Sequence, residues 1–241
     1  MTGQAVDILC ITAHPDDAEI AMGGTILRHI AQGHRVGVVD LTAGELGTRG
    51  SRELRKQEAA ASAQVLGVAF RYQLGLRDGF FRADEPSLLE VVRVLRAHRP
   101  GVVLTNAVRD RHPDHGRGAA LVAEACFLSG LRRIATERDG KPQEAWRPTT
   151  VLHGVQDHWV DPDLVVDVTP WWPKKMEALQ CFSSQFFDPA SKEPVSPISV
   201  PEFLPTLEGR ALAMGRLIGT TYGEGFTVAR PPGIRDLTEL G

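Results

Sequence analysis

Short apolar runs alternate with segments of helical spacing through the first two thirds of this chain, and that alternation leaves few folds open. Val6–Thr12, Arg35–Leu41, Val68–Tyr72, Gly101–Thr105, Thr150–His153 and Leu164–Val168 read as strands. Ile20–Gln32, Arg52–Leu66, Ser87–Ala97 and Gly116–Leu128 read as helices among them. Apolar, β-branched strands separated by helices belong to a parallel sheet covered on both faces, which makes this an α/β chain. Right-handed crossovers then deliver the loops that follow the strands to one edge of the sheet. The last third departs from the rhythm. Pro170–Phe187 and Phe203–Thr220 predict helices, Pro189–Pro205 a loop, and Tyr222-Gly223-Glu224-Gly225-Phe226 a sharp turn. The simplest account is one domain over residues 1–241: a mostly parallel sheet, helices on both faces and a C-terminal helical appendage.

Composition narrows the function. The net charge is −3 and no Lys/Arg block occurs, which argues against nucleic acid, because phosphate binding needs a concentrated basic footprint. Cys10, Cys126 and Cys181 are far apart and odd in number, as expected of small buried hydrophobes in a reducing compartment. The N-terminal residues lack the basic segment and apolar core of a signal peptide. No apolar run reaches the ~20 residues that cross a bilayer. A cytoplasmic protein without a membrane partner is the expectation.

Two clusters carry the chemistry. His14-Pro15-Asp16-Asp17 follows the first strand, and His112-Pro113-Asp114-His115 follows the strand Gly101–Thr105. Each lies just past the carboxyl end of a parallel strand, where two loops can converge on one point. A neutral imidazole and a carboxylate, as in His14 and Asp17, suit Zn²⁺ or a similar ion. His115 completes a three-ligand set with an open position for water. Asp16 is then free to act as general base, and His112 to hydrogen-bond an oxyanion and protonate a leaving amine. Asp114 can orient the His112 ring. Taken alone, Asp16, Asp17 and Glu19 also read as an acidic helix cap, and the second cluster as a polar loop before a helix. The donor set does not choose its metal, since zinc and iron(II) both suit His/Asp/His.

Three further residues are candidates for binding substrate. Arg49, in the glycine-rich stretch Gly44–Gly50, offers a fork for a carboxylate or phosphate. Arg55 on the next helix either faces the site or lies on the surface. Asp78 can accept hydrogen bonds from sugar hydroxyls, with Phe80 and Phe81 as apolar walls, or it can open a type I turn. His29, His34, His98, His153 and His158 have no partner at ligand spacing and read as ordinary surface or core histidines.

The two clusters together resemble the PIG-L/LmbE-like zinc deacetylases, which remove N-acetyl groups from glucosamine-containing substrates. The similarity spans nearly the whole chain. Leu41–Gly50, Leu74–Phe81, Gly215–Gly219 and Tyr222–Phe226 are similar to segments of the bacillithiol-biosynthesis subgroup. The resemblance implies a Rossmann-like fold, His14, Asp17 and His115 as zinc ligands, Asp16 as base, and His112 as oxyanion stabiliser and acid. It also implies a homo-hexamer and a small amino-sugar conjugate as substrate, with N-acetylglucosaminyl-malate first among them. A malate aglycone would give Arg49 a purpose. The same chemistry on a thiol conjugate, a chitooligosaccharide or an antibiotic glycan is the alternative, and a non-catalytic sugar-binding module is a more distant one. Mycothiol-pathway relatives carry a tyrosine two positions before the first histidine of the second motif. Here that position is Asp110.

Overall fold

The computed structural model describes residues 4–233 and 236. Its centre is a seven-stranded sheet in the order β3-β2-β1-β4-β7-β9-β8. The strands are β1 (Ile8–Thr12), β2 (Val36–Asp40), β3 (Phe70–Gln73), β4 (Val102–Thr105), β7 (Thr150–Gly154), β8 (Leu164–Asp167) and β9 (Gly223–Val228). β1 pairs in parallel with β2 on one side, Ile8 opposite Val36, and with β4 on the other, Ile8 opposite Val102. β3 and β7 extend the parallel set outwards, and β9 runs antiparallel to both β7 and β8.

The helices between the parallel strands are α1 (Asp17–Ala31), α2 (Arg52–Leu66), α3 (Glu85–His98) and α4 (Pro113–Leu128). Alternation along β1 sends Leu9 and Ile11 to one face, where they meet Val91, Leu95, Leu121 and Val122 of α3 and α4. Ile8 and Cys10 go to the other face, against Met22 and Ile26 of α1. Both faces are therefore dry, as the apolar strand sequences require. α5 (Trp172–Gln180) and α6 (Phe203–Leu217) cover the second face further out, packing with Ile20 and Ala59 around Trp172 and Phe182. Among the described residues, no helix is long and apolar enough to cross a membrane.

Three segments differ from the sequence expectation. Tyr222–Phe226 is not a turn: Gly223 begins β9, which enters the sheet between β7 and β8. The glycines that mimic a turn serve close packing instead. A Cβ at Gly223 would stand 2.6 Å from Val165 Cγ1, and one at Gly225 would stand 2.8 Å from Met214 Sδ. Pro170–Phe187 is only partly helical: a short 3-10 helix, Thr169–Trp171, leads into α5, which stops at Gln180. Beyond it the chain runs in successive turns, Phe182 N donating to Leu179 O and Gln185 N to Phe182 O, and Glu58 of α2 accepts hydrogen bonds from Ser184 N and Ser184 Oγ, both at 2.8 Å. A small hairpin, β5 (Glu137–Arg138) with β6 (Lys141–Pro142), also forms. Its tip, Asp139-Gly140, has φ of 53° and 71°, which is the backbone of a type I′ turn.

β9 also places a charge inside the fold. The Glu224 carboxylate accepts from Gly24 N at 2.9 Å and from Thr25 N at 2.7 Å, both within α1. Lys175 Nζ donates to Glu224 Oε1 at 2.7 Å and to Ile20 O at 2.9 Å. This buried pair ties α5 and β9 to the helix that begins at Asp17. Breaking a buried pair leaves an uncompensated charge, so Lys175→Met should cost about 3–5 kcal/mol. Adding Glu224→Gln, which keeps an acceptor for α1, should recover most of that loss. Urea unfolding of the two variants checks this, and equal midpoints would contradict it.

Candidate metal centre and cleft

The carboxyl ends of β1, β2, β3, β4 and β7 all deliver side chains to one cleft of about 510 Å³. Its walls include His14, Asp16, Asp17, Arg55, Asp78, His115 and Gln156, with the more exposed His112 and Arg111 nearer the mouth. β1 and β4 are neighbours, so the two His/Asp clusters meet directly. The ring centroids of His14 and His112 are 4.7 Å apart, and those of His112 and His115 are 5.2 Å apart.

Asp17 lies between His14 and His115. Its Oδ1 is 3.1 Å from His115 Nε2, and its Oδ2 is 3.4 Å from His14 Nδ1. The carboxylate also accepts from His14 N at 2.9 Å, Asn106 Nδ2 at 3.0 Å and Gln156 Nε2 at 2.6 Å. Burial would raise its pKa, but the charges and hydrogen bonds of His115 and His14 hold it well below the usual carboxylate range. The two histidines respond in kind. Burial lowers the His115 pKa, but Asp17 and Asp110 raise it to about 9. Burial likewise opposes His14, and hydrogen bonds with Asp114, Asp17 and Asp78 carry its pKa well above its ordinary value.

This spot thus favours positive charge strongly, and it offers two imidazoles and a carboxylate to receive it. Nitrogen atoms of His14, His112 and His115 lie within 4.8 Å of one another, as do donor atoms of His14, Asp78 and Asp114. Borderline-soft nitrogen with hard oxygen suits zinc or iron(II), so the residues present fit a divalent cation.

Asp16 sits apart from that set. It precedes α1 with φ 118° and ψ −26°, a strained backbone for a non-glycine residue, and its side chain makes no cap hydrogen bond. The acidic-cap reading therefore fails here. The Asp16 carboxylate faces Arg55 instead, whose Nη2 donates to Oδ2 at 2.8 Å and also to Pro15 O. Burial pushes the Asp16 pKa up to about 7, against the opposing pull of Arg55.

His112 caps α4: its Nδ1 accepts from Asp114 N at 3.2 Å. An accepting Nδ1 leaves the ring proton on Nε2. Burial, with His14 and His115 nearby, holds the His112 pKa below its ordinary value. In this arrangement His112 offers Nε2–H as a hydrogen-bond donor, which fits the oxyanion part of its expected role and not the part of a proton donor to the amine. The role given to Asp114 also needs correction. Its backbone N–H orients His112, while its carboxylate accepts from Gly79 N at 2.8 Å, pairs with Arg117 and lies 3.4 Å from His14 Nε2.

The substrate candidates fare differently. Asp78 is in the cleft, but its carboxylate accepts from Leu46 N at 2.9 Å and is 3.0 Å from His14 Nε2, so it fixes a histidine and the loop after β2. Phe81 is buried in the core and Phe80 is exposed, so the two are not paired walls. Arg55 lines the cleft, with its guanidinium engaged by Asp16, Pro15 and Gln185 Oε1. Arg49 is a clear correction. It is buried outside the cleft lining, donates to Phe186 O at 3.1 Å and to Ser191 Oγ, and pairs with Glu193. It clamps residues 186–193 rather than binding substrate.

Sequence reasoning missed Asn106 and Gln156, the amides that grip Asp17, and gave Asp110 no task beyond adding charge to the loop of the second cluster. Asn106 also accepts from Ala13 N at 2.8 Å, joining the ends of β1 and β4. A polar amide closing an apolar strand was its only signal; Gln156 had none beyond following a strand.

Fold and site together define an α/β protein with a buried His/Asp cluster at the sheet rim that could hold a cation, and comparison with known proteins places it in a family. A family model described as PIG-L, GlcNAc-PI de-N-acetylase, matches residues 9–126. A diacetylchitobiose deacetylase of Thermococcus kodakarensis is 30% identical over 94% of this chain and 84% of its own length. A probable N-acetyl-α-D-glucosaminyl L-malate deacetylase 2 of Bacillus anthracis is 29% identical over 74% and 81%. A 4-oxalmesaconate hydratase of Pseudomonas putida is 29% identical, covering 73% of each chain. The solved structure of the conserved protein TT1542 from Thermus thermophilus superposes with a TM-score of 0.85, at 30% identity, over 96% of this chain and 98% of that one. The chain belongs to the PIG-L family.

If Arg49 is a clamp, Arg49→Met should speed proteolytic cleavage within 186–193 without raising KM more for anionic than for neutral substrates. A selective KM rise for a carboxylate-bearing substrate would return Arg49 to substrate binding.

Proposed function

We propose that this protein is a divalent-metal-dependent N-deacetylase acting on an N-acetylglucosaminyl conjugate, with N-acetylglucosaminyl-malate as the first substrate to test. One observation carries the reading: a cation-favouring cluster of His14, Asp17 and His115, beside an Asp16 that Arg55 holds apart from it. Similarity to relatives named as deacetylases of glucosamine conjugates supports the reaction type. With Arg49 outside the cleft, the arginine at the mouth is Arg111, whose side chain is 39% exposed and paired with Asp157, a pair that an acidic aglycone would have to share.

His14, Asp17 and His115 would hold the ion, zinc or iron(II). When bound, it supplies Lewis acidity at the acetyl carbonyl and lowers the pKa of water. Asp16 takes the proton of the attacking water, its carboxylate oriented by Arg55. His112 donates a hydrogen bond from its Nε2–H to the developing oxyanion, and the departing amine takes up the proton that Asp16 received from water. Acetate and a free glucosamine conjugate result.

The test is acetate release from N-acetylglucosaminyl-malate, diacetylchitobiose and N-acetylglucosamine, with and without chelator, for wild type and Asp16→Asn. Chelator-sensitive release is expected. Asp16→Asn should keep its metal and lose about 100-fold or more in kcat, the span typical of general-base removal. A near-wild-type rate would overturn the base assignment. A hydratase is among the relatives, so hydration of an unsaturated dicarboxylate with no acetate release from any sugar would replace the deacetylase reading.

A further inference from the structure

We infer that Asp110 is a positioning residue that dictates which nitrogen of His115 carries the proton, and so whether His115 can bind metal at all. The inference rests on the reading of His115 as a ligand. Asp110 Oδ2 lies 2.5 Å from His115 Nδ1, and its side chain is fully buried. The other ring nitrogen, Nε2, faces Asp17 in the cleft at 3.1 Å. A carboxylate can only accept, so Asp110 keeps a ring proton on Nδ1, and Nε2, whose proton is shared only with Asp17 in the cleft, is the nitrogen a cation can take.

The carboxylate cannot swing away from this task. Its Oδ1 accepts from two backbone amides, Asp157 N at 3.1 Å and His158 N at 2.7 Å. Those amides belong to the loop after β7, directly following Gln156, which donates to Asp17. One buried side chain thus locks the tautomer of one ligand and the loop that orients another. The anchoring gives a chemical signature that neither charge nor packing would produce. In Asp110→Asn, the two amides hold the Asn oxygen, which leaves its NH₂ facing His115 Nδ1. Nδ1 must then accept, the ring proton moves to Nε2, and the lone pair leaves the cleft. In Asp110→Ala the hydrogen bond is lost but either tautomer is allowed.

The test is the zinc affinity of the full chain, measured by competition with a chromophoric chelator, for wild type, Asp110→Ala, Asp110→Asn and His115→Ala. Thermal unfolding of each variant runs alongside. Asp110→Ala should weaken zinc about 10-fold, the lower end for loss of a group that orients a ligand. Asp110→Asn, the closer isostere, should weaken it a further 10-fold or so. Equal losses would mean that Asp110 acts through charge alone, and a milder Asp110→Asn would mean that it serves packing; either overturns the inference. Unchanged zinc affinity in His115→Ala would instead remove His115 from the ligand set, overturning the metal-site reading and this inference together. Nitrogen-15 spectra of histidine-labelled, zinc-loaded wild type give an answer even if a variant fails to fold. A proton on His115 Nδ1 is expected, and a bare Nδ1 would refute the inference.

Discussion

The site depends on the parallel pairing of β1 with β4. Because the two strands are neighbours running the same way, Ile8 opposite Val102 through Ile11 opposite Thr105, their following loops leave the sheet side by side. Asn106 fastens that junction, accepting from Ala13 at the end of β1 and donating to Asp17 just beyond it. Every group proposed to act on substrate or metal lies within ten residues of one of these two strand ends. Parallel order, imposed by the helical crossovers, is therefore what converts two separate sequence motifs into one site.

Electrostatics then divides the carboxylates by task. Asp17, Asp78, Asp110 and Asp114 all approach an imidazole, and each is held below its ordinary pKa despite burial. They create a spot that favours a cation. Asp16, one residue from Asp17 in sequence, is turned the other way by a strained backbone and by Arg55, and its pKa is raised instead. Neighbours in sequence thus meet opposite environments, which suits one to bind a metal and the other to move a proton.

Six of the seven sheet strands, the first four helices and the convergence of the two clusters were legible because period and position encode them directly. α2 runs over the same residues, Arg52–Leu66, that its spacing marks. What escaped depends on partners distant in sequence. Arg49 reads as a free fork until Phe186, Ser191 and Glu193 are seen to occupy it. Asp110 reads as loop polarity until His115 is found against it, and Glu224 reads as part of a turn until its carboxylate is seen in contact with α1. The Asp139-Gly140 hairpin is the one local signal that was present and passed over.

Anomalous diffraction at the zinc edge, from crystals of the metal-loaded protein, tests the central claim most directly. The account predicts a single strong peak in the cleft, within bonding distance of His14, Asp17 and His115. A peak seated instead among His14, Asp78 and Asp114, the other buried donor group, would contradict the assignment of ligands. The absence of any peak in the cleft of fully loaded protein would contradict the metal centre itself.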